Sequence, residues 1–321
     1  MAHIVFKGKP FECDGSQSLL DAALSQKVFI PYSCKEGVCH ACMVKAIKGT
    51  PPPASQQGLD DAHKQQNLFL ACQCFPEEDM IVEAANFEPT YTTPILDKTW
   101  LNNHIIRLRL EKPADFTYQA GQYINIIHPE SKVTRSYSLA SLPCENFLEL
   151  HIKRYPDGIM SGWLCDEVQQ GQALEFKGSY GECVYQGGHP QQDIILAGVS
   201  TGLAPLYGIL RQALAENHQG NMMLFHGALD AEGLYYQNHI KHLMQNAPHL
   251  NYIPCVLHGK PPVDGKQGAI DQIMSQMLKD CAGKRAYLCG DDAIVQNMKK
   301  ALFMKGLSEK DIRVDAFVPA K

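Results

Sequence analysis

Apolar and polar positions follow three successive rhythms along the chain. The first stretch, up to about residue 87, holds a tight group of cysteines and ends in the β-like run Met80-Ile81-Val82-Glu83-Ala84. From about 88 to 188 apolar and polar residues alternate in short bursts, as in Ile105-Ile106-Arg107-Leu108-Arg109-Leu110 and Phe147-Leu148-Glu149-Leu150-His151-Ile152-Lys153. Alternation broken by Gly and Pro predicts a small β-barrel or sandwich. From Gln191 onward strand and helix take turns. The apolar run Ile194-Ile195-Leu196-Ala197 precedes a helical pattern over about 203–216, and Met222-Met223-Leu224-Phe225 leads to a second helix ending near Asn246. Further strands are expected over 252–257 and 286–289, each followed by helix. That order predicts a parallel α/β sheet with helices on its faces. Three domains follow, 1–87, 88–188 and 189–321, with a stiff loop at Pro51-Pro52-Pro53 and no internal repeat.

Length, charge and cysteine use narrow the class. A chain of 321 residues with 45% hydrophobic and 20% charged content has room for two or three globular domains. A net charge of −5 argues against a broad basic surface for nucleic acid. The start lacks the apolar core of a signal peptide, and no run of 18 apolar residues predicts a membrane span. Twelve cysteines are too sparse for a disulfide scaffold in a chain this long, so a reducing, cytoplasmic setting is expected.

Cys34, Cys39 and Cys42 form C-x4-C-x2-C, with Cys72 as a distant fourth candidate. This spacing is the plant-type [2Fe–2S] signature. A zinc site, which favours two paired knuckles, or a set of buried free thiols are the competing readings. Gly37 sits inside the loop, where positive φ and close backbone approach are useful, and backbone N–H groups there can tune a cluster.

Together with Leu19-Leu20-Asp21-Ala22-Ala23, Ile30-Pro31-Tyr32-Ser33-Cys34 and Leu70-Ala71-Cys72-Gln73-Cys74, these residues resemble plant-type ferredoxins. The resemblance implies a β-grasp ferredoxin domain with Cys72 rather than Cys74 as fourth ligand. Arg135-Ser136-Tyr137-Ser138 is similar to the R-x-Y-S motif of the ferredoxin–NADP reductase superfamily. It implies an antiparallel FAD-binding β-barrel in which Arg135 holds pyrophosphate, Tyr137 stacks on the flavin and Ser138 bonds near its N5. Ala120-Gly121-Gln122-Tyr123, then Lys153-Arg154 with Gly158-Ile159-Met160-Ser161, match further segments of that family in its order. Gly158 and Ser161 would open a helix whose N–H groups face phosphate. Gly178-Ser179-Tyr180-Gly181 resembles its domain-joining turn, with Ser179 in place of proline.

In the last third, Gly198, Thr201, Gly202 and Pro205 lie in Ala197-Gly198-Val199-Ser200-Thr201-Gly202-Leu203-Ala204-Pro205, which resembles the superfamily's G-x-x-T-G-x-A-P turn. Glycines there let a backbone approach phosphate, although a plain strand-to-helix turn has the same look. No Arg or Lys stands between Phe225 and Lys241, and Asp230 would repel a 2′-phosphate, so NADH is expected. Asp230 as a solvated loop residue is the competing reading. Tyr287-Leu288-Cys289-Gly290 resembles the C-G motif where nicotinamide meets flavin, and Asp315-Ala316-Phe317 the terminal segment with an aromatic ring over the flavin. A buried core residue is the competing reading for Cys289 and for Phe317. As a whole the chain resembles reductase components of bacterial multicomponent oxygenases, a multidomain α+β and α/β class. The resemblance implies an NADH-dependent oxidoreductase, expected as a monomer, passing electrons through FAD and a [2Fe–2S] cluster to an oxygenase component or other redox protein. A reductase serving sugar deoxygenation and a non-enzymatic electron carrier are the alternatives.

Overall fold

The computed structural model describes residues 1–85 and 89–318. The expected boundary between 87 and 88 lies outside the described residues. Five strands make the first sheet: β1 (Ala2–Phe6), β2 (Lys9–Cys13), β3 (Met43–Lys48), β4 (Leu68–Leu70) and β5 (Met80–Ala84), in the order β2-β1-β5-β3-β4. β1 and β5 run parallel and the other pairs antiparallel, which is the expected β-grasp arrangement. Helix α1 (Leu19–Ser25) buries Leu19, Leu20, Ala22 and Ala23 against the sheet. Ser18 starts it by accepting the Asp21 N–H, a cap worth about 1 kcal/mol. Pro53 opens a hydrogen-bonded 3-10 turn, so the proline loop is followed by regular structure, and α2 (Asp61–Gln65) follows before β4.

The second sheet holds β6 (Tyr91–Trp100), β7 (Ile105–Glu111), β8 (Tyr123–Ile127), β9 (Thr134–Ser138), β10 (Phe147–Lys153) and β11 (Ala173–Tyr180), with the short helix α3 (Ile159–Gly162) between the last two. All its pairings are antiparallel, in the order β10-β7-β6-β11-β8-β9. A bridge between Leu139 and Leu150 joins the two edges, so the sheet closes into a barrel rather than a sandwich. Alternation sends Ile106, Leu108, Leu110, Leu148, Leu150 and Ile152 into its core. The opposite face of β10 is not left to water. Glu149 and His151 are also buried there, beneath the third unit.

That third unit is a parallel sheet of β12 (Ile194–Val199), β13 (Met222–Ala228), β14 (Leu250–Val256), β15 (Lys266–Gln267), β16 (Arg285–Asp291) and β17 (Ile312–Phe317). Helices α4 (Leu203–Ala215), α5 (Gln237–Asn246), α6 (Ile270–Met277) and α7 (Asp292–Phe303) cover both faces. Ile194 and Leu196 pack with the α4–α5 side, Ile195 and Ala197 with the α6–α7 side. The apolar run is continuous because this strand is buried on both faces. Strand order β15-β14-β13-β12-β16-β17 reverses direction between β12 and β16. Open α/β sheets bind ligands at such a switch, outside the carboxyl ends of the strands.

Candidate functional site

The four thiols of the first unit fall into two pairs. Cys34 shares a hydrogen bond with Cys39, and Cys42 with Cys72, while Coulomb contacts link Cys39 to Cys42 and Cys34 to Cys72. Two pairs are what a two-iron cluster asks of its ligands, whereas a single zinc ion wants all four at one point. Within each pair one thiol gives up its proton more readily. The bond with Cys39 draws Cys34 down and pushes Cys39 up, and the second contact lowers Cys72 and raises Cys42. Backbone N–H groups of Glu36, Gly37, Val38 and Ala41 point at these sulfurs. Gly37 has φ +80°, and a Cβ there would meet Gln73 Cγ at 2.8 Å. Gln73 in turn donates to the Lys35 carbonyl at 3.2 Å and to Cys72 Sγ at 3.6 Å, tying the two cysteine segments together. Cys74 lies elsewhere. Burial pushes its thiol up to about 12, in the apolar core beside Cys13.

β9 presents Arg135, Ser136, Tyr137 and Ser138. Arg135 donates to the Thr134 carbonyl at 2.8 Å and, among the described residues, forms no ion pair. Lys153, half-buried at the end of β10, lies over the Tyr155 ring, 5.4 Å from its centroid, and among the described residues forms no ion pair. Two cations without carboxylate partners suit a pyrophosphate. Arg154 does not join them, being held by Asp166 at 2.8 Å. Helix α3 begins at Gly158 as expected, but it is a single turn that runs on into a π turn. Ser161 Oγ accepts from Tyr155 N at 3.1 Å and donates to the Gly158 carbonyl at 3.3 Å, so it shapes this loop. The Met160 side chain packs in the barrel core and leaves only its backbone for a ligand. Tyr137 is half-buried, and desolvation raises its phenol. Gly178, Ser179 and Tyr180 belong to β11, with a register shift against β8, rather than to a separate turn.

At the sheet's switch point, residues 199–202 turn tightly, with Ser200 at φ +53°. Gly198 and Gly202 are required by packing. A Cβ at 202 would strike the Cys289 carbonyl, and one at 198 would meet Leu206 at 2.7 Å. Thr201 is half-buried in the turn, and Pro205 is buried in the first turn of α4. Cys289, paired in register with both Gly198 and Asp315, is fully buried, with its Sγ 3.8 Å from Cys183 Sγ. Burial pushes its thiol well up. Asp315 is a residue that sequence reasoning leaves aside. Its Oδ2 accepts from Ser138 Oγ at 2.7 Å across the barrel–sheet junction, and burial lifts its carboxyl to about 6 against that hydrogen bond. Phe317 is half-buried two residues on, opposite Asp291. Asp230 caps the turn Ala231–Gly233 by accepting the Gly233 N–H on its Oδ1 at 2.9 Å, and the residue is exposed.

A buried polar network also escapes a sequence pattern. Glu149 accepts from Arg109 Nε at 2.7 Å and Tyr236 Oη at 2.8 Å, with His151 Nε2 at 3.1 Å. His151 Nδ1 meets Tyr235 Oη at 3.0 Å. Desolvation lowers His151, so the ring is neutral near pH 7, donating to Glu149 and accepting from Tyr235. The network locks β10 of the barrel onto the segment after β13.

Comparison with known proteins matches this three-part layout. The family model of the 2Fe-2S iron–sulfur cluster binding domain matches residues 4–77, that of the oxidoreductase FAD-binding domain 95–185, and that of the oxidoreductase NAD-binding domain 195–300. The phenol hydroxylase P5 protein of Acinetobacter pittii is 31% identical over 98% of this chain and 93% of its own length. The reductase subunit of an aromatic O-demethylase from Amycolatopsis is also 31% identical, over 98% and 97%. The CDP-6-deoxy-L-threo-D-glycero-4-hexulose-3-dehydrase reductase of Yersinia pestis is 27% identical over 97% and 96%. Among solved structures, Amycolatopsis cytochrome P450 reductase GcoB has a TM-score of 0.73 at 27% identity, covering 100% of both chains.

Proposed function

Because the chain belongs to the family of reductases that join a [2Fe–2S] domain to FAD-binding and NAD-binding domains, we propose that its described groups act as one NADH-driven electron path. The observation that carries this is the position of the β8–β9 hairpin. Ser138 on β9 reaches Asp315 of the parallel unit at 2.7 Å, while Asn125 on β8 reaches the carbonyl of Cys39 at 2.9 Å. The hairpin that carries the expected flavin strand therefore touches both other units, β9 the parallel unit and β8 the cluster loop. Bound FAD would accept hydride from NADH, and the cluster would carry its electrons singly.

In this reading Cys34, Cys39, Cys42 and Cys72 hold the cluster. Arg135 and Lys153 neutralise the pyrophosphate, and Tyr137 and Ser138 orient the flavin ring. The turn at Gly198, Thr201, Gly202 and Pro205 receives the dinucleotide, with Cys289 and Phe317 bordering the nicotinamide. The domain limits would be 1–87, 88–188 and 189–321. The receiving partner is an oxygenase component, as the names of the phenol hydroxylase and O-demethylase relatives suggest. Identity to the Yersinia reductase supports a sugar dehydrase as the alternative acceptor. Twelve free thiols suit a reducing, cytoplasmic compartment.

Nucleotide choice rests on Asp230. Oδ1 is committed to Gly233, which leaves Oδ2 for a ribose hydroxyl. A 2′-phosphate would meet this carboxylate and Glu232 with no cation in the loop, at a cost of about 2 kcal/mol or on the order of thirtyfold in kcat/KM. Steady-state kinetics with both nucleotides should favour NADH at least about tenfold, and Asp230→Ala should narrow the ratio. Equal efficiency with NADPH would contradict the assignment.

A further inference from the structure

Building on the proposed function, we infer that Asn125 is a positioning residue for electron delivery, pinning the cluster loop to the flavin strand by joining the Cys39 carbonyl to Ser136. Along β8, Ile124 and Ile126 fill the barrel core, so Tyr123 and Asn125 emerge on the opposite face. Asn125 stands directly across from Ser136 in the β8–β9 register. Ser136 Oγ donates to Asn125 Oδ1 at 2.7 Å, and Asn125 Nδ2 donates to the Cys39 carbonyl at 2.9 Å. The residue is 2% exposed. A carboxamide supplies one acceptor and one donor head, the pair these two contacts require, which neither Leu nor Asp could supply.

Neighbouring contacts act on the same loop. Tyr123 Oη donates to the Val38 carbonyl at 2.8 Å, and the His40 ring meets Tyr180 edge-on with centroids 5.7 Å apart. Three consecutive residues, Val38 to His40, are thus held by the barrel. Beside them opens a cleft of about 360 Å³ lined by Phe29, Lys132, Thr134, Glu175 and Lys177. Among the described residues this side carries a cleft rather than continuous apolar packing, so the polar contacts govern how closely the loop sits. Cys39 is one of the four cluster thiols, and its sulfur moves with its carbonyl. Electron tunnelling weakens exponentially with the gap, so releasing the loop slows transfer without touching hydride chemistry. With both groups bound, each electron given up by the flavin would be the one electron that the cluster takes up. Asn125 itself is neither oxidised nor reduced, and no bond in the protein is made or broken.

Anaerobic stopped-flow mixing of the full chain, with both groups bound, against NADH separates flavin bleaching from cluster bleaching. In Asn125→Ala the flavin phase should stay within about twofold, while the cluster phase slows about threefold or more, because one lost buried hydrogen bond shifts the loop's docking equilibrium by about tenfold and lowers its docked share. Deuterium uptake by the peptide spanning 37–41 should rise in the same variant. If Asn125→Ala does not fold, Asn125→Asp keeps the acceptor for Ser136, removes the donor to Cys39, and is read in the same way. Cluster reduction within about twofold of the unmodified chain, or both phases slowed by one common factor, would overturn the inference. An unmodified chain whose flavin NADH does not bleach would overturn the proposed function, and the inference with it.

Discussion

Replacing Glu149 with alanine tests how the barrel is locked to the parallel unit. The Glu149 side chain is 3% exposed and is bonded by Arg109, Tyr236 and His151. Burial by itself would raise its pKa, but the hydrogen bonds, His151's first, hold it at about 2 against an ordinary 4.5. Near pH 7 the neutral His151 donates a hydrogen bond and Arg109 is the cation on this carboxylate; below that range a protonated His151 adds its own attraction, which belongs to the depression to about 2. A depressed carboxylate contributes stability that is present in full above pH 4.5 and is lost as pH falls through about 2. The shift corresponds to about 3 kcal/mol. Glu149→Ala removes that contribution and strands the buried Tyr236 hydroxyl and His151 ring, while the half-buried Arg109 keeps Asp97 at 3.9 Å, so the cost should be about 3–5 kcal/mol. For a unit of this size about 2–4 °C accompanies each kcal/mol, which predicts a fall in Tm of roughly 6–20 °C. Differential scanning calorimetry at pH 7 measures it, with Glu149→Gln expected to lie between the two. A fall smaller than about 2 °C would show that the network does not bear on stability.

Two further outcomes concern the thiols and the Ser138 contact. Cys72→Ser should abolish the visible absorption of the iron–sulfur cluster while Cys74→Ser retains it; the reverse pattern would move the fourth ligand to Cys74. Asp315 has a carboxyl raised to about 6 from 3.8, so its contribution to stability is present below about pH 4 and lost as pH rises through 6. Asp315→Asn keeps an acceptor for Ser138 and should therefore gain stability between pH 4 and 7, by about 1–2 kcal/mol after allowance for its partial exposure. A gain that is the same at both pH values would refute a buried, raised carboxyl.

Local periodicity made the strands and helices legible in the sequence. β7 and β10 alternate, β12 is uniformly apolar, and both patterns depend only on near neighbours. The cysteine spacing was legible for the same reason, since three of the four thiols lie in one loop. What escaped depends on distant packing. Glu149 and His151 occupy the polar positions of an alternating strand and look solvated, yet the parallel unit covers them. Asn125 looks like any polar strand residue, because its partner Cys39 lies 86 positions away. Asp315 stands in a segment marked for Phe317, and only the fold brings Ser138 to it from 177 positions away. Gly198 and Gly202 were legible as glycines that let a backbone approach phosphate. The structure adds a reason that spacing does not show, the closeness of β16 behind the turn.

The most direct test of the account is an anaerobic titration of the full chain with NADH, followed by absorbance and by electron paramagnetic resonance. One FAD and one [2Fe–2S] cluster hold three electrons together, so reduction should be complete at about 1.5 NADH per chain, with a signal from the reduced cluster. An end point at about one NADH with no cluster signal, or no bleaching at all, would contradict an electron path running through both groups.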